Sequence, residues 1–86
     1  MLFRSDAYRA ALEVFTPQNS PENFAQTSAI LAFALMEIAK DEPTIELLEE
    51  ARQRFEDANS IYGQMSADDD AYFRGRIDEI DGLLGR

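Results

Sequence analysis

Residues 23–40 read NFAQTSAILAFALMEIAK, with eight consecutive apolar residues from Ala29 to Met36. A helix on the surface of a globular domain usually carries one apolar stripe and one wet face. This one is apolar nearly all round, so two of its faces need cover. The run is far short of the roughly 20 apolar residues that a membrane span requires. The cover must therefore come from another helix of the chain, a second copy, or a bound partner.

Working outward, the chain divides into four helical segments at three breaks. The first segment, about 2–15, places Phe3, Ala7, Ala10, Ala11, Val14 and Phe15 at three-and-four spacing. Pro17 ends it, and Ser20 followed by Pro21 is an N-cap with proline at the first helical position. The second helix is then about 21–40. The third, about 43–62, opens with Pro43 in its first turn and carries Ile45, Leu47, Leu48, Ala51, Phe55, Ala58, Ile61 and Tyr62 on one stripe. Glu50–Arg54 and Glu49–Arg52 are spaced for pairs along its wet side, and Gly63 is a natural stop. Ser66 with Asp69 three residues on opens the fourth, about 67–84, whose apolar residues are Tyr72, Phe73, Ile77, Ile80, Leu83 and Leu84. No segment alternates with period two, so strands are not expected. The expected fold is all-α, a single domain over 1–86.

Spacing also discloses a repeat. Tyr8, Ala11, Val14 and Phe15 stand 47 residues before Phe55, Ala58, Ile61 and Tyr62. After a two-residue slip, Phe24, Ser28, Leu31, Ala34 and Leu35 fall 49 before Phe73, Ile77, Ile80, Leu83 and Leu84. One helical hairpin thus lies between two half-repeats. Phe24-Ala25-Gln26-Thr27, Leu31-Ala32-Phe33-Ala34-Leu35 and Leu48-Glu49-Glu50-Ala51, followed by Phe55 and Ala58, resemble the tetratricopeptide repeats, most closely bacterial arrays with a long inter-helix loop. The resemblance covers roughly Ser5 to Ile61, with Ala32 where the family has glycine. It implies a stack of αα-hairpins, to be weighed against a compact four-helix bundle. It also implies a concave face that binds peptides or partner helices. In either architecture Ala32, Ala51 and Ala58 fit positions where helices cross closely.

Composition narrows the function classes. The chain has 86 residues, no cysteine and no histidine, which removes disulfides, thiolate metal sites and the commonest general base. A domain this small buries only roughly 60–65% of its unfolded surface, so its core is thin. Charged residues at Arg4, Asp6, Arg9 and Glu13 interrupt the apolar N-terminus, so no signal peptide is expected and a cytoplasmic protein is the default. Net charge is −9, of which residues 1–40 hold −1 and residues 41–86 hold −8. Direct nucleic-acid binding is disfavoured, because phosphate contacts need a basic face. Neither a catalytic motif nor a phosphate-cradling glycine loop is present. The acidic runs Asp68–Asp70 and Asp78–Asp81 suit a helix N-terminus and a wet face better than a calcium loop. No enzyme, cofactor, metal or membrane partner is expected.

The remaining chemistry is recognition. With Leu31, Ala32 and Leu35 on the packing side of the second helix, its opposite stripe is Gln26, Ala29, Phe33, Met36, Glu37 and Lys40. These six are the candidate partner-binding residues, for another protein, a peptide, or a second copy in a homodimer. Helices one and four closing over Phe33 and Met36 is the competing reading. The alternative function is an acidic regulator whose 41–86 half acts as an anionic decoy toward a basic or nucleic-acid-binding protein.

Overall fold

Four helices form where the breaks place them. The computed structural model describes residues 4–86, so Phe3 and the expected start of the first helix lie outside the described residues. The elements are α1 (Arg4–Val14), α2 (Pro21–Asp41), α3 (Ile45–Met65) and α4 (Ala67–Leu83). In the α1–α2 loop the Asn19 amide donates to the Val14 carbonyl at 2.9 Å, while its Oδ1 accepts from the Thr16 amide. Ser20 holds the N-cap position with Pro21 after it, but its side chain makes no capping bond. Ser66 does cap, accepting from the Asp69 amide at 3.2 Å.

Two boundaries depart from expectation. Pro43 lies in the turn, and α3 begins at Ile45 because Thr44 takes the N-cap and accepts from the Leu47 amide. A threonine oxygen can satisfy a free helical N–H and proline cannot, so the cap falls one residue past the proline. The helix also runs through Gly63 to Met65. Gly63 is a site of close approach: a Cβ there would collide with Asn59 Oδ1 and come within 3.0 Å of Asp70 Oδ1.

Packing is strictly sequential. Among the described helices, backbones approach each other only between α1 and α2, α2 and α3, and α3 and α4. The Cα envelope measures 35 × 33 × 14 Å. Two helix layers with axes about 9 Å apart account for the thin dimension. A closed four-helix bundle would be thin in two directions and would bring α1 against α4. The arrangement is therefore an open stack of hairpins.

The core follows the alanine pattern. Leu31, Ala32, Leu35, Ala51, Phe55, Ala58 and Ile80 are fully buried. Leu83 of the expected fourth-helix stripe is exposed, as is Ile38, whereas Met36 and Ala39 are buried. In α1 the expected stripe is only partly covered, at Ala11 and Phe15. Ala7, Ala10 and Val14 are exposed, and the covered face is Ser5, Tyr8 and Leu12. Large side chains gain more by burial than alanines do, so Tyr8 and Leu12 set the rotation of the helix.

Two glycine variants test this packing. Gly75 faces open space, so Gly75→Ala should raise stability by about 0.5–1 kcal/mol through helix propensity alone. Gly63→Ala should gain less or lose, because Asn59 must abandon its bond to Asp70. Chemical denaturation of both variants gives the comparison, and equal gains would refute the close approach.

Candidate functional site

The side chains of next-nearest helices meet where their backbones do not. Phe33 on α2 meets Phe55 on α3 edge-on at 5.1 Å between centroids, and lies 6.4 Å from Tyr72 on α4. Phe55 continues to Phe73 at 6.1 Å, and Tyr62 stacks on Phe73 at 5.9 Å. The Arg76 guanidinium lies 5.5 Å from the Phe33 ring centre and 5.8 Å from that of Phe55. Such contacts favour a cation by about 0.5–2 kcal/mol depending on exposure. Arg76 is also paired with Glu79 at 3.3 Å.

Beside this cluster α2 and α4 diverge, leaving a hollow of about 440 Å³. Phe33, Met36, Glu37, Ala39 and Lys40 line it from α2, Pro43 from the turn, and Arg76, Glu79 and Leu83 from α4. A second hollow of about 500 Å³ shares Pro43 and Leu83 and continues to Ile45, Leu48 and Leu84. Together they make one continuous surface, on which Leu83 and Ile45 are 61% and 67% exposed.

Four of the six candidate residues, Phe33, Met36, Glu37 and Lys40, are brought together in the first hollow. Gln26 is exposed and Ala29 packs against the core, both outside it. Phe33 is half-buried beneath α4 side chains, and Met36 is only 9% exposed. Both therefore support packing as well as lining the hollow. Sequence reasoning missed Pro43, Arg76, Glu79 and Leu83. An α4 stripe at Tyr72, Arg76, Glu79 and Leu83, spaced by three and four, was the available signal.

The other side of the α3–α4 pair is polar. A hollow of about 590 Å³ there is lined by Arg52, Glu56, Asn59, Gly63, Asp70, Arg74, Asp78 and Asp81, among others. Arg52 donates to Asp81 at 2.6 Å and to Glu56; Asn59 and Arg74 donate to Asp70 at 2.9 and 2.8 Å. The ion pairs differ from those expected along single helices. Glu50 accepts from Arg9 of α1, not Arg54, which takes Asp57. Glu49 pairs with Arg86 instead of Arg52. For Glu50 and Glu49, spacing along α3 cannot anticipate a better-placed arginine from another segment.

These pairs shift the carboxyls. The Arg9 hydrogen bonds hold Glu50 below its ordinary 4.5, and Arg52 holds Asp81 below 3.8. Asn59, then Arg74, lowers Asp70 likewise. Among the described residues no group of three or more acids is arranged to hold a metal ion, and no helix is long and apolar enough to cross a membrane. Comparison of the chain with protein families, curated proteins and solved structures gave no match.

Since these carboxyls are more acidic folded than unfolded, their contribution is complete above about pH 5. It is lost as pH falls through the lowered values. Urea midpoints should stay flat from pH 7 to 5.5 and drop below about pH 4. Glu50→Gln should start lower at pH 7 and drop less, and an unchanged acid limb would rule out the Arg9–Glu50 pair as a contributor.

Proposed function

We propose that this chain is a non-enzymatic docking module, a hairpin stack that receives a partner's apolar side chains between α2 and α4. The observation that carries the reading is the open hollow beside Phe33, floored by Met36 and Ala39 and walled by an exposed Leu83. Monomeric domains seldom leave a contiguous apolar surface uncovered without a use for it. Aromatic, methionine and arginine side chains are also the types enriched at interfaces. The sequential packing and the buried Ala32, Ala51 and Ala58 support the tetratricopeptide-like reading of the repeat, whose stacks present grooves of this kind.

The anionic-decoy reading draws less support. Asp70, Asp81, Glu49, Glu50 and Glu56 are each engaged by an arginine of the same chain. Acids already paired attract a basic partner less than free ones would, which leaves that attraction to the unpaired acids of 41–86, Asp41, Glu42 and Glu46 beside the hollow among them.

Leu83 is the residue to change, because it is 61% exposed and its loss should leave the fold intact. Leu83→Glu should melt within a few degrees of the parent chain and lose the proteins that the parent retains from cell extract. Ala10→Glu, on the exposed face of α1, should keep them. Phe33→Ala is expected to cost about 2 kcal/mol instead, since its ring packs on Phe55. Undiminished retention by Leu83→Glu would remove the hollow as the docking site.

A further inference from the structure

The charges around the apolar surface specify what fits it, and this step rests on the docking reading of the same hollow. Every cation lining the two hollows is engaged within the chain: Lys40 by Glu37 at 2.8 Å, Arg76 by Glu79, and Arg86 by Glu49. The carboxylates flanking Pro43 and Ile45, which line the hollows, are different. Asp41, Glu42 and Glu46 are exposed and have no salt-bridge partner among the described residues. The charges lining the hollows therefore pair off among themselves around the apolar side chains, while the α2–α3 turn is anionic without a paired cation among the described residues.

A second copy of the chain is a poor occupant. It would bring another −9 to the contact, and a two-fold arrangement about this face sets like charges together. We infer that the occupant is a cationic amphipathic helix, its apolar stripe seated along Phe33, Met36 and Leu83 and its lysines or arginines over Asp41, Glu42 and Glu46. Helix-in-groove docking reads anchors at i, i+3 or i+4, and i+7, which suits a shallow hollow extended into a second one. Electrostatic attraction at the rim would orient the helix and speed its capture.

The test uses dye-labelled synthetic helices of about 18 residues with the full chain, read by fluorescence anisotropy. One has a leucine stripe with lysines clustered at an end, one has glutamates in place of the lysines, and one is the lysine peptide scrambled. The lysine helix should bind, and Leu83→Ser should abolish its binding. The combined variant Asp41→Asn, Glu42→Gln, Glu46→Gln should weaken it about tenfold at low salt, with the difference shrinking as salt screens the rim. Equal binding of the glutamate helix would leave the hollow standing and overturn the cationic partner. If the scrambled peptide binds equally, or Leu83→Ser has no effect, hollow and partner both fall. A concentration-dependent dimer that Leu83→Ser dissolves, with no peptide bound, assigns the hollow to a second copy and overturns the inference alone. A chain that stays monomeric and binds none of the peptides overturns both.

Discussion

Phe55 is shared by three helices, and the stack depends on that sharing. Its ring is fully buried on α3, touching Phe33 from α2 and Phe73 from α4 under the Arg76 guanidinium. In a slab only two helices thick no element is enclosed on all sides, so few side chains can hold more than one neighbour. Ala51 and Ala58 lie four residues before and three after Phe55, on the same face, and neither exposes any surface. Their small size lets the flanking helices close to the distance at which one aromatic ring reaches both. Three aromatics meeting at one place supply burial and edge-to-face attraction that three thin pairwise contacts could not.

The slab gives its two sides different chemistry. Where α2 and α4 lean toward each other over α3, contact is by side chains alone, aromatic at Tyr72 and cationic at Arg76. Past Arg76 it lapses into the hollow. On the other side α3 and α4 run side by side, with Arg52–Asp81 and Asn59–Asp70 bridging them in antiparallel order. Arg9–Glu50 performs the same task between α1 and α3. Partly covered ion pairs of this sort contribute little individually. Their value here is geometric: Arg9–Glu50 ties helices whose backbones do not meet, and the α3–α4 bridges fix the rotation of a pair already packed through Phe55 and Phe73.

The four helices, their breaks and the close-packing alanines were legible from residues alone, because period, proline and alanine act locally. The rotation of α1 was not. Ala7, Ala10 and Val14 make as regular a stripe as Tyr8 and Leu12, and only the volume available against α2 decides between them. Gly63 read as a terminator because glycine often ends helices, whereas here it is a place where Asn59 and Asp70 crowd the backbone. Half of the candidate site was visible for the same reason that half was hidden. The α2 wall follows from one overlong apolar run, but the α4 wall depends on which face a weakly amphipathic helix turns inward. That is settled by Phe73 and Ile80 against Phe55, contacts between residues distant in sequence.

The second face of the apolar run is covered unequally along its length, and this inequality is what creates the hollow. At Phe33 the cover comes from Tyr72 and Arg76. One turn on, at Met36 and Lys40, α4 contributes only Glu79 and the exposed Leu83. The opening is therefore a property of the packing order itself: consecutive helices satisfy one another, while helices two apart can meet only where large side chains span the gap. Phe33 and Arg76 span it. Ala39 cannot, and the apolar surface beyond it stays exposed.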